Sequence, residues 1–269
     1  MTTTPIDAPG EHLDSLDDEL GLGLASAARD EAAERAHRKV QLAIAFRMFA
    51  RYGYDEGAAG HITVRDPGRP DHFWVNPFSV PFARIKVSDL LLIDAEGRVV
   101  EGERRTNKAA FYIHSSIHEA RPDAVAVAHA HTIHGRAFSA LDQELLPIIQ
   151  ESCAFYRNHV VFREYKGLVV ERVESERIAA TLGRHRAVIL RHHGLITVGG
   201  SVEETAWWFH TMERACQMQM LAQAAGTPRV MTEEEAVLAA RQFGSANMAR
   251  LGFRLLAEQV VDEEPDVLR

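Results

Sequence analysis

The sequence predicts an α/β domain layered around a mixed or antiparallel sheet. Three observations carry this. Short β-branched runs alternate irregularly with helical periodicities. Glycines and prolines separate the runs at hairpin-like spacing. No strand leads into G-x-G-x-x-G, G-x-x-x-x-G-K-[ST] or G-x-S-x-G, which leaves dinucleotide, P-loop and serine-hydrolase readings without support.

Residues 1–30 hold seven acidic side chains and one basic one, and read as a flexible acidic leader. Residues 31–269 are the domain with its C-terminal helices. From Glu31 to Tyr52, Ala36, Val40, Ile44, Phe46 and Met48 recur at helical spacing. His61 to Val64 and His72 to Val75 read as strands joined by a turn, and Leu90 to Ile93 with Val99-Val100 as a second pair. Asn107 is the expected N-cap of a helix to Ala120. Asp123 to His131 alternates strictly, with Val125, Val127, His129 and His131 on one face and alanines on the other. The alanine face implies an element packed closely against it. Ser175 is the expected N-cap of a helix to Leu182, and Ala187 to Leu190 reads as a buried strand. Ser201 with Glu204 predicts a capping box for a helix to Ala225. Thr232 to Val260 is helical with a break near Gly244.

A formal net charge of −8 and a pI near 6.0 offer no footprint for a polyanion, so nucleic acid is not an expected partner. Two cysteines, Cys153 and Cys216, make no disulfide framework. With no signal-like N-terminus and no long apolar run, the expected location is the cytoplasm, away from membranes.

Seven of the fourteen histidines fall in three groups, His114/His118, His129/His131/His134 and His192/His193. A period of two points His129 and His131 the same way, so two ring nitrogens can converge on one ion. A third imidazole from another strand end would complete a site with open positions. The apolar strand Ala187 to Leu190, leading into His192 and His193, supplies that end. His114-Ser-Ser-Ile-His118 lacks the Glu of a zincin helix. His61, His72, His159 and His185 read as surface or satisfied histidines.

Gly60-His-Ile-Thr-Val-Arg65, Asn76-Pro-Phe-Ser79, Asp94-x-x-Gly97, His114 through Arg121-Pro-Asp123 to His129-x-His131, and His193-Gly194 occur in order. That series resembles the class II aldolase/adducin family. The resemblance implies a three-layer α/β/α domain with a central, mostly antiparallel sheet, commonly a homotetramer. It assigns His129, His131 and His193 to one divalent metal ion, with His192 where Asn is frequent. His210 is a candidate to reach a neighbouring subunit's site.

The departures carry as much information. Sugar-phosphate aldolases of the family have an acid/base Glu where this chain has Ala110, within Lys108-Ala109-Ala110. Their phosphate-binding serines are altered as well, which makes a phosphorylated sugar a poor substrate. General acid/base assistance is worth about 10²–10⁴-fold, so the chemistry must come from elsewhere. The chain is similar in this respect to the non-haem iron oxygenases of aminocoumarin antibiotic biosynthesis. The expectation is oxidative decarboxylation of a small aryl oxo- or hydroxy-acid with Fe(II) and dioxygen. The alternatives are a Zn- or Mn-dependent aldolase, decarboxylase or epimerase, and a non-catalytic adducin-like scaffold. His114, His134 and Glu151 are expected to act or to orient ligands, and Asn76, Phe78, Phe111 and Tyr156 to contact substrate.

Overall fold

A computed structural model describes residues 29–269 except 168 and 170. The acidic leader falls outside the described residues over 1–28. Helix α1 (Glu31–Arg51) is capped by Asp30, whose carboxylate accepts from the Ala33 amide at 2.8 Å. Glu31 and Glu34 lie in its first turn and Arg51 in its last, a distribution that complements the helix dipole. Its second half, including Phe46 and Phe49, is buried.

Eight strands form one sheet in the order β4-β3-β2-β1-β5-β8-β7-β6. They are β1 (His61–Arg65), β2 (Phe73–Val75), β3 (Leu91–Ile93), β4 (Val99–Glu101), β5 (Ala126–Ala130), β6 (His159–Phe162), β7 (Ala187–Leu190) and β8 (Gly194–Gly199). Every pairing is antiparallel except β6 with β7. Helices α2 (Lys108–Ala120) and α4 (Arg172–Leu182) cover one face, where Ile113, Ile117, Ile178 and Leu182 cluster with Val127 and Ile196. On the other face α1, α5 (Val202–Ala225) and α7 (Ala246–Glu263) cluster with Ala126, Ala128 and Ala130. Helices α3 (Ile133–Ser139) and α6 (Glu233–Phe243) complete the set. The expected three-layer arrangement around a mostly antiparallel sheet is therefore what the chain adopts.

The alanine face behaves as its small side chains predict. Helix α5 comes close enough for the Thr205 hydroxyl to reach the Ala126 carbonyl at 3.3 Å. Three expectations change in detail. Strand β5 stops at Ala130, so His131 lies just beyond it. Helix α4 begins at Arg172, with Ser175 inside it and buried, because its hydroxyl finds Ser116 on α2 at 2.8 Å and the Arg172 carbonyl at 2.8 Å. Ser201 caps α5 as expected, accepting from the Glu204 amide, but the Glu204 carboxylate turns to the Gly200 amide and Arg250 instead of closing the box. Strands β6 and β8 and helix α3 had no counterpart in the sequence reading.

Candidate metal centre

His129 leaves the sheet interior at the end of β5, His131 lies two residues on, and His193 stands in the turn between β7 and β8. The pairing of β5 with β8, His129 opposite Ile196 and Ala130 opposite Leu195, brings that turn beside the His-x-His. The three imidazoles converge, with one nitrogen from each lying within 4.8 Å of the others. His193 Nε2 stands 3.1 Å from His131 Nε2, and the three ring centroids are 4.8–5.0 Å apart.

Two glycines make room for this approach. Gly60 has φ +95°, and a Cβ there would meet the His129 carbonyl oxygen at 3.2 Å. Gly194 has φ +152°, and a Cβ there would lie 3.3 Å from the Ala130 carbonyl and 3.7 Å from the His129 ring. His192 sits at φ +58°, in the left-handed region where Asn is among the residues best tolerated.

The donors are poised to be neutral. Burial, then the neighbouring imidazoles, holds His129 well below the ordinary histidine value. Burial and His131 bring His193 to about 4. Burial and the Arg136 guanidinium lower His131. His129 Nδ1–H donates to the Leu195 carbonyl at 2.8 Å, so its lone pair is at Nε2. Neutral imidazoles with one ring N–H anchored are the ordinary donor set of a divalent transition metal, and these residues fit such an ion.

Around the triad stand further buried and half-buried polar side chains, of which the sequence points to His114 and His134 but not to Glu213 or His61. Buried Glu213 of α5 accepts from the Thr132 hydroxyl, from the Gly135 amide at 2.7 Å and from both the amide and Nδ1 of His134 at 3.0 and 2.9 Å. It thereby anchors the start of α3 immediately after His131. His61 lies directly opposite His129 across β1 and β5, with ring centroids 5.1 Å apart. Its Nδ1 is 2.8 Å from His114 Nε2, so His114 enters the site through His61.

Asn76, Phe111 and His114 line one pocket with His61. Phe78 is 42% exposed outside it. Glu151 is exposed on a 3-10 turn (Glu151–Phe155), and Tyr156 packs near Cys153 and Ala236. Both precede the start of β6, which is parallel to β7, whereas His193 follows the end of β7. Within this chain they are not brought to the triad. His210 bonds Tyr54 at 3.0 Å between Tyr52 and Trp207. The side chains of Lys108, Ala109 and Ala110 lie outside the described residues.

The chain matches the family described as Class II Aldolase and Adducin N-terminal domain over residues 40–220. It is 44% identical over 238 residues to Decarboxylase NovR of Streptomyces niveus, covering 88% of each chain. It is 43% identical to the 4-hydroxy-3-prenylphenylpyruvate oxygenase/4-hydroxy-3-prenylbenzoate synthase of Streptomyces roseochromogenus subsp. oscitans, covering 88% of this chain and 86% of that one. Among solved structures, it is similar to an L-fuculose 1-phosphate aldolase from Glaciozyma antarctica PI12, with a TM-score of 0.86 and 36% identity over 93% of this chain and 99% of that one.

Proposed function

Because the chain belongs to the class II aldolase and adducin family, we propose that it is a metal-dependent enzyme that cleaves a carbon–carbon bond of a small, non-phosphorylated aryl oxo- or hydroxy-acid by oxidative decarboxylation. Residues 31–269 are the catalytic unit in this reading, in a homotetramer. His129, His131 and His193 would hold the metal, Fe(II) by preference. When bound, such a metal supplies dioxygen activation and charge stabilisation that a redox-silent ion supplies only in part.

The observation that carries the reading is the convergence of three neutral imidazoles in a chain with alanine at position 110. A triad without the family's acid/base Glu suits redox chemistry better than a retro-aldol cleavage. Two relatives named as a decarboxylase and as an arylpyruvate oxygenase support it. The segment Gly60-His61-Ile62-Thr63 supports it too. The polar side chains of His61 and Thr63 are engaged with His114 and His118, leaving no hydroxyl free for a phosphate. A purely scaffolding role is disfavoured by the intact triad.

A second reading, a zinc- or manganese-dependent lyase, draws on the structural neighbour named as an L-fuculose 1-phosphate aldolase. One experiment separates the two. Anaerobically purified protein is loaded with Fe(II), Zn(II) or no metal and offered a panel of aryl 2-oxo and 2-hydroxy acids in an oxygen electrode. Oxygen uptake with Fe(II) alone, inhibited by zinc, is expected. Turnover with zinc under anaerobic conditions would establish the lyase and end the oxygenase.

A further inference from the structure

A cleft of about 790 Å³ lies away from the triad. Val125, just before β5, and Gly200 and Ser201, just past β8, stand in its wall, whereas the metal ligands lie at the other ends of these two strands. Between α1 and α7 its floor is apolar, with Ile44, Phe253 and Ala257 buried and Val40 and Val261 half-buried. Most of its polar lining is spent internally. Glu34 takes Arg29 at 3.2 Å and Arg38 at 2.7 Å, His37 meets Glu203 at 2.8 Å, and Arg250 meets Glu204 at 2.6 Å. Arg254 and, further along α7, Glu258 and Asp262 are exposed rim charges with no ion-pair partner among the described residues.

The cleft opens where the chain enters the fold, for Arg29 lines it and Asp30 caps α1. The sequence before Arg29 ends in nine uncharged residues, Leu20-Gly-Leu22-Gly-Leu24-Ala-Ser-Ala-Ala28, and these follow Asp17, Asp18 and Glu19. In an extended chain that alternation sets three leucines on one face and two glycines on the other. Such a segment matches a groove with an apolar floor and an open mouth. Leu20 to Leu24 spans about 13 Å when extended, and packed helices lie about 8–10 Å apart, so the five residues suffice to cross from α1 to α7. Ala25 to Ala28 reach at most about 14 Å, enough to turn the chain into the groove. The acidic triplet then emerges on the α7 rim, where Arg254 stands.

We propose that Leu20 to Leu24 of the same chain fill this cleft, with the leucines on its apolar floor and Asp17, Asp18 and Glu19 meeting Arg254. Attachment at Arg29 selects this occupant, since a short tether holds a segment at an effective concentration of about millimolar. The docked segment ties α1 to α7 on the side of the fold remote from the triad. It is independent of the metal and of the substrate.

Hydrogen–deuterium exchange of the full chain, read by mass spectrometry, is the test. Amides 20–25 should exchange at least about tenfold more slowly than in a synthetic peptide of residues 1–28, which has no cleft to enter. Leu22→Asp should abolish that protection and leave the domain folded, since position 22 precedes α1. Arg254→Glu should reduce it about two- to fivefold, and Asp17→Arg with Asp18→Arg in that background should restore it. Equal exchange in chain and peptide overturns the proposal, and so does protection that survives Leu22→Asp. Protection unchanged in Arg254→Glu overturns the acidic contact. Protection lost on dilution of a protein that stays folded makes a second copy the source of the segment and overturns the same-chain assignment.

Discussion

Glu213 and His134 are joined twice, for the carboxylate accepts from the His134 amide at 3.0 Å and from its Nδ1 at 2.9 Å. A side chain on the long helix α5 thus fixes the turn that follows the ligand His131. Removing it would orphan the Thr132 hydroxyl and two amides in a buried place. Glu213→Ala should lower stability by about 3 kcal/mol, read as a shift in the denaturant midpoint. It should also weaken metal affinity by about 10–100-fold, with Glu213→Gln milder in both respects. Metal affinity equal to wild type in a folded Glu213→Ala protein would show that α5 does not position His131.

Either His129→Ala or His193→Ala leaves two imidazoles where three now converge. Two neutral nitrogens without a third protein ligand hold a divalent ion weakly. Elemental analysis after dialysis should find one metal per chain in wild type and close to none in either variant. Full stoichiometry with retained activity would remove the triad from consideration.

The metal-free protein should be acid-labile in a defined window. His118 is held at about 3 by burial, and burial holds His61, His114 and His129 well below the usual value. The unfolded chain protonates these imidazoles near 6.5, whereas the folded chain does not. Stability is therefore whole above about pH 6.5 and is lost as pH falls toward 3, by about 1.4 kcal/mol per unit for each such histidine. Asp66 acts lower. Burial opposes its charge, but Arg35 and Trp74 bring it to about 2, so its contribution goes only between about pH 4 and 2. Thermal midpoints in chelator should drop steeply from pH 7 to 5. A flat profile over that range would contradict the neutral chain of imidazoles.

Gly60→Ala tests the close approach at the base of the site. At φ +95° an alanine is strained, and its Cβ would press on the His129 carbonyl and the Phe82 ring at 3.2 and 3.3 Å. A loss of about 1–2 kcal/mol is expected from the backbone strain alone. Because that carbonyl belongs to His129 of the triad, metal binding should weaken along with stability. Chemical denaturation and calorimetry on one preparation measure both.

Much of this protein was legible in its residues. The alternation from Asp123 to His131 determined a strand with His129 on one face and alanines on the other, because strand side chains alternate with period two, although β5 ends at Ala130 and His131 lies just beyond it. The apolar run Ala187 to Leu190 was sufficient for β7, and Asp94, Gly97, Ser201 and Gly244 marked turns, a cap and a break through their own backbone preferences. The family followed from five short motifs in order. Strands β6 and β8 were not legible, since His159-Val-Val-Phe162 is short and Gly194 to Gly199 opens and closes on residues that read as turns.

Tertiary structure decided the partners. His61 reads as an unremarkable strand histidine until β1 pairs with β5 and sets it opposite His129. Nothing near residue 213 in the chain points to Thr132 or His134, which lie 79 or more positions away and meet it only because α5 packs over the sheet. Glu151 and Tyr156 show the same limit from the other side. They are suitable side chains close in sequence to β6, yet the parallel pairing of β6 with β7 puts them at the end of the sheet away from His193. Local preference determines which element a residue joins and which way it faces, while strand register and helix packing determine what it meets.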